Sequence, residues 1–154
     1  METVSLERTI DAPASAVRDL VRDVGPLMEA AGFDEVAVDG NVVEITNNVG
    51  LLTIDLRLRV LDTEDALAYE QVDGIFDEMV TRYAVAEGDG TDGTQEGVVV
   101  RATTEYSLAV DVVGSILDST IIARQRRTEL SAQFDYLERA TADGEGTSER
   151  PRET

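Results

Sequence analysis

Residues 33–110 carry apolar side chains at a period of two, and residues 112–140 change to a period of 3.6 and keep it. That single change constrains the fold more than any other feature. Leu52, Ile54, Leu56, Leu58 and Val60 alternate with Thr53, Asp55, Arg57 and Arg59, the pattern of a half-buried strand. Strands are also expected at Phe33 to Val38, Asn41 to Thr46, Leu67 to Val72, Phe76 to Ala86 and Val98 to Val110. Asp39-Gly40 and Asp73-Gly74 are tight hairpin signals, so the strands pair antiparallel. A sheet with one apolar face must cover it, and only the helix predicted over Val112 to Ala140 is long enough. The pattern predicts an α+β fold, a curved sheet wrapped around a long C-terminal helix.

A further strand opens the chain, with Val4, Leu6 and Ile10 on one parity. Asp11 is placed to cap the next helix, and Pro13 fits its first turn, where no amide donor is needed. Val17, Leu20 and Val21 follow at helical spacing until Gly25-Pro26, and a second short helix, Leu27 to Ala31, closes at Gly32. The total is seven antiparallel strands, with two short helices after the first. Residues 1–140 make one domain, and 141–154, small, polar and charged, are expected to form a disordered tail.

The stretch "TIDAPASAVRDLVRDV", taken with this element order, resembles the START-like superfamily, also called the polyketide cyclase/dehydrase or SRPBCC superfamily. Its members open with a strand, a hydrophobic-Asx-Ala-Pro turn and a helix bearing an apolar residue four positions after the proline. Ile10, Asp11, Ala12, Pro13 and Val17 match in register, and the resemblance covers residues 3–139. It implies a helix-grip fold with a cavity between sheet and helix for an apolar or amphipathic molecule. The superfamily's roles extend from lipid carriage to ring cyclisation and chaperone activation. It has no shared catalytic signature, so it assigns no catalytic residue, and a fold alone does not assign a function.

Composition narrows the chemistry. Thirty-two acids face thirteen bases, a net charge of −19, and every base is arginine. Such a charge repels nucleic acid and anionic membranes. The acids are spread over every segment, which points to a halophilic surface kept soluble in molar salt, in preference to a grip on a basic partner. No apolar run reaches the roughly 18 residues of a membrane span, and the N-terminus has no signal-peptide pattern, so a cytoplasmic protein without stable membrane insertion is expected. Cysteine and histidine are both absent, which excludes disulfides and makes zinc and transition-metal sites unexpected; no cofactor is indicated. "GDGTDG", Gly88 to Gly93, spells a dinucleotide-binding pattern but precedes a strand and carries two acids where a pyrophosphate would sit. It also lacks carboxylates where a calcium loop needs them, so it reads as a hairpin loop.

Candidate site residues are the polar and aromatic groups on inward-facing positions. Tyr69, Tyr83 and Tyr106 lie on or near the inward strand parities, with Thr104 beside Tyr106. Phenols in an apolar pocket orient a ligand carbonyl or hydroxyl; equally, they are core residues with a satisfied hydroxyl. Glu78 and Glu105 join them only if their strands face the other way. On the long helix, Ile116, Thr120, Ala123, Arg127, Leu130, Phe134 and Leu137 fall along one drifting face, with Arg124 at its edge. Arg127 there either clamps a ligand anion, or lays its stem over apolar surface to reach the rim or pairs with a sheet carboxylate. Arg124, Arg126 and Arg127 form a basic cluster in an otherwise acidic chain, read as an anion-attracting spot or as self-paired helix charge. The expected function is binding or transport of a small hydrophobic or amphipathic, lipid-like ligand. The alternatives are a cyclase or dehydratase using Tyr83, Tyr106 or Arg127, and a protein-interaction module of the same fold.

Overall fold

The computed structural model describes residues 1–49, 51–87, 97–108 and 119–149. Chain order is β1 (Glu2–Ile10), α1 (Ala14–Arg22), α2 (Val24–Ala30), β2 (Glu35–Asp39), β3 (Val42–Val49), β4 (Leu52–Val60), β5 (Leu67–Asp73), β6 (Phe76–Glu87), β7 (Val98–Leu108) and α3 (Ser119–Glu149). The strands make one seven-stranded sheet in the order β1-β7-β6-β5-β4-β3-β2, every pair antiparallel. Sequential hairpins build β2 to β7, and β1 closes onto β7. The fold is a curved sheet gripping a long C-terminal helix, as the change of period predicts. Irregularities at Arg57/Leu58 and Phe76/Glu78 interrupt the ladders, and such bulges bend the strands that carry them.

Alternation sorts the sheet into two faces. Val4, Ile10, Val43, Ile45, Ile54, Leu58, Tyr69, Met79, Tyr83, Val100 and Tyr106 are buried on the inner one. Leu130, Phe134 and Leu137 of α3 pack against them. The outer face carries cross-strand ion pairs such as Arg57–Glu44 and Arg59–Glu70.

Helix α1 buries Ala14, Val17 and Val21. Its Arg18 and Arg22, one turn apart, donate to the carbonyls of Val85 and Ala66, which fixes the helix across the sheet end. Three boundaries differ from the sequence reading. Pro13 itself is the N-cap of α1, and no side chain caps it, so Asp11 does not serve there. The break between the short helices falls at Asp23, leaving Gly25 and Pro26 in the first turn of α2, where a missing amide donor is harmless. Gly32, at a φ of +95°, closes α2 as expected. Helix α3 runs to Glu149, past the predicted end at Ala140 and into the segment expected to be a disordered tail. Thr141 turns its hydroxyl back onto the carbonyls of Leu137 and Glu138, satisfying them within the helix. The expectations for residues 88–93, 109–118 and 150–154 lie outside the described residues.

Candidate functional site

Strand register places Val60, Tyr69, Thr81, Thr104 and Val4 in one row across β4, β5, β6, β7 and β1. Three hydroxyls therefore stand side by side on the inner face. The Thr81 and Thr104 oxygens are 2.8 Å apart. Helix α3 lays Arg126 over this row. Its Nε donates to Thr104 Oγ1 at 2.9 Å, and its Nη2 donates to the Tyr69 hydroxyl at 2.5 Å and to Thr81 Oγ1 at 3.4 Å. Nη1 donates to Glu129 Oε1 at 2.9 Å, three residues along the same helix. The other Glu129 oxygen accepts from Asn47 Nδ2 and Gln125 Nε2, both at 3.3 Å. Arg126 is 8% exposed and Glu129 6%, so this ion pair is removed from water. A buried charge is tolerable only with this degree of pairing.

The surroundings hold these groups in defined states. Burial pushes the Glu129 carboxyl above its ordinary range, opposed by the charge and hydrogen bond of Arg126. Burial also works against the Arg126 charge, but the charge and hydrogen bond of the Glu129 carboxylate offset it, so the guanidinium stays protonated. Burial holds Tyr83 well above the usual phenol range, aided by neighbouring Tyr69. Tyr83 donates to Gln133 Oε1, and Gln133 donates onward to the Leu27 carbonyl at 3.0 Å, tying β6 through α3 to α2.

Beside the ion pair lies an apolar cavity. Ile45, Ile54 and Leu58 form its floor, while partly exposed Phe33, Leu56, Ile75 and Phe76 ring its mouth. The cavity is partly open, with a volume of about 60 Å³; with the open solvent space at its mouth included it reaches about 600 Å³. Arg126, Gln125, Asn47 and Glu129 make the polar part of the wall together with Thr104 and Tyr69. The arrangement suits a molecule with an apolar body and one polar end. Among the described residues, no cluster of three or more acidic groups could hold a metal ion.

The residues singled out from sequence divide into three groups. Tyr69, Thr104 and Tyr106 do line the cavity, and Tyr106 packs edge-on against Phe76 with ring centroids 5.4 Å apart. Tyr83 and Phe134 are fully buried but away from it, Tyr83 bonded to Gln133 and Phe134 stacked under the Arg8 guanidinium at 5.5 Å. Thr120, Arg124 and Arg127 are exposed and line a shallow groove with Glu2 on the outer side of α3. Their expected inward placement is corrected: the inward arginine is Arg126. The buried arc of α3 runs through Ile122, Arg126, Glu129, Leu130, Gln133, Phe134 and Leu137, and its polar members widen it on the side opposite Arg127. Glu78 and Glu105 face solvent. Thr81, Asn47, Gln125, Glu129 and Gln133 were not singled out as site residues; for Thr81 the signal was present, a hydroxyl on an apolar strand parity.

This architecture defines a START-like, SRPBCC-type helix-grip fold with a cavity beneath its long helix. Comparison with solved structures agrees. A START superfamily protein from Mycobacterium smegmatis superposes with a TM-score of 0.67 at 9% identity, covering 92% of this chain and 97% of that one. XoxI from Bacillus cereus gives 0.70 at 14% identity, covering 94% and 99%. Ara h 8.0201 gives 0.59 at 14% identity, covering 88% and 97%. No protein-family model matches the chain, and no curated protein matches it either. At these identities the likeness is one of fold.

Proposed function

We propose that this protein binds a small hydrophobic or amphipathic, lipid-like molecule between the sheet and α3, as a carrier without catalysis. The observation that carries this reading is the apolar cavity with its polar groups gathered at one side, Arg126, Gln125 and Asn47. Pockets that take such ligands are built this way, mostly apolar with a few placed polar groups. The cavity's 60 Å³ holds only a few waters, so a larger ligand enters by widening the mouth. Phe33 sits just beyond α2, and Ile75 and Phe76 at the β5–β6 turn, so the mouth is shared by separate elements. Among the described residues no helix is long and apolar enough to span a membrane.

The test is mass spectrometry of an organic extract from protein purified in high salt out of a salt-tolerant host. One apolar species near one per chain supports the reading. An empty extract, repeated after incubation with host lipid, counts against it and directs the search to protein partners.

A second reading, a cyclase or dehydratase, draws on one observation. The Tyr69 hydroxyl lies 2.5 Å from Arg126 Nη2, which polarises it as a proton donor toward the cavity. That role falls to Tyr69 and Arg126, in place of Tyr83 or Arg127. Turnover lost in Tyr69→Phe with ligand binding retained would favour the enzyme.

A further inference from the structure

The charge balance of the buried cluster decides which kind of polar end the cavity accepts. Arg126 brings one positive charge and Glu129 one negative charge, 2.9 Å apart, both nearly inaccessible to water. The cluster is already neutral. The exposed arginines of α3, Arg124 and Arg127, lie on its outer side and do not line the cavity. A ligand carboxylate or phosphate would therefore enter beside Glu129 with no free cation to meet it. An ammonium would meet Arg126 with its carboxylate already engaged. Either would be a buried charge without a partner.

Uncharged groups fare differently. Guanidinium has five N–H groups, and the hydrogen bonds among the described residues engage four of them. The side-chain carbonyls of Gln125 and Asn47 lie in the same wall and accept no hydrogen bond from a described residue. One spare donor and two spare acceptors fit a hydroxyl or a ketone.

We propose that the site selects an uncharged oxygen, an alcohol or ketone on an apolar body, and rejects the carboxylate of the same chain length. The selectivity comes from Glu129, which occupies the cation a fatty acid would need. The inference rests on the binding reading above and adds the chemical class of the ligand.

The experiment uses the whole chain at pH 8 in high salt. 1-Decanol, 2-decanone and decanoate compete against the neutral fluorescent probe N-phenyl-1-naphthylamine. The alcohol and ketone should displace it, and decanoate should bind more weakly by roughly tenfold or more. Glu129→Gln frees Arg126, and there the preference should shift toward decanoate, with circular dichroism melting as the check on folding. Arg124→Ala and Arg127→Ala should leave the ratio unchanged. Decanoate binding the wild-type protein as tightly as decanol would overturn the inference and leave the binding reading standing. If neither probe nor any of the three compounds binds, the binding reading fails, and this inference with it. The wild-type ratio decides the matter even if Glu129→Gln does not fold.

Discussion

Removing the carboxylate of Glu129 strands the Arg126 charge in the interior. The two groups are 10% and 8% exposed in their side chains, with the charged atoms 2.9 Å apart. At that contact, with charge centres near 4 Å, the attraction is roughly 4 kcal/mol at the effective dielectric typical of protein sites. Glu129→Ala also leaves the amide donors of Asn47 and Gln125 without their acceptor. The expected loss of stability is about 3–5 kcal/mol, a large share of the roughly 5–15 kcal/mol a domain possesses. Arg126→Met should cost about as much, because it strands the carboxylate instead. The double variant Arg126→Met/Glu129→Leu removes both charges and should cost less than either single one, since apolar groups of similar volume replace a buried pair well. Thr81 and Thr104 would still bond each other. The assay is urea unfolding followed by circular dichroism at fixed salt, with Glu129→Leu and Arg126→Met as the matching single variants that close a double-mutant cycle. Glu44→Ala is the internal standard: its pair with Arg57, at 2.8 Å, is about half exposed on both sides and should contribute no more than about 1 kcal/mol. If Glu129→Ala costs no more than Glu44→Ala, or if the double variant costs the sum of the singles, the interior is not desolvated as described.

Three other outcomes follow from the geometry. Glu129 has its folded-state pKa raised by burial, so the folded state binds more protons there than the unfolded one, and stability falls as pH climbs from the ordinary glutamate range through the raised value; the fall should be shallower in Glu129→Gln, measured as unfolding free energy against pH. Tyr83→Phe leaves the buried Gln133 carbonyl without its donor and should cost about 1–3 kcal/mol in the same urea assay, while a change below about 0.5 kcal/mol would show that Gln133 finds another partner. Gly74→Ala would drive its Cβ within 2.5 Å of Leu56 Cδ2 and onto Gln71, which is held at both ends by Phe76 and cannot swing aside; a loss of about 1–3 kcal/mol is expected, with no loss meaning the β5–β6 turn re-forms freely.

How far the sequence reaches into this site depends on which period is being read. On a strand the period of two leaves one binary choice, so Tyr69, Thr104 and Tyr106 could be placed inward from alternation alone, and the hairpins at Gly40 and Gly74 followed from local turn chemistry. On a helix the inward arc is broad, and Leu130, Phe134 and Leu137 fix its direction only loosely. Stepping back from Leu130 by three reaches Arg127 and by four reaches Arg126; at about 100° per residue the two lie on opposite sides of Leu130. Apolar residues alone cannot choose between them, because the arc is completed by Arg126, Glu129 and Gln133, which a hydrophobic pattern counts as outside. The missing information is tertiary. Thr81 and Thr104 stand on apolar parities, and once strand register sets them beside Tyr69, three buried hydroxyls require polar partners from the helix above. Arg126 answers that requirement with a carboxylate three residues on to balance its charge, whereas Arg127 has no acid three or four residues along the helix toward the C-terminus, where Leu130 and Ser131 stand. The polar pattern of the sheet thus selects the phase of the helix, and the charge pair that satisfies the sheet is the same one that lines the cavity.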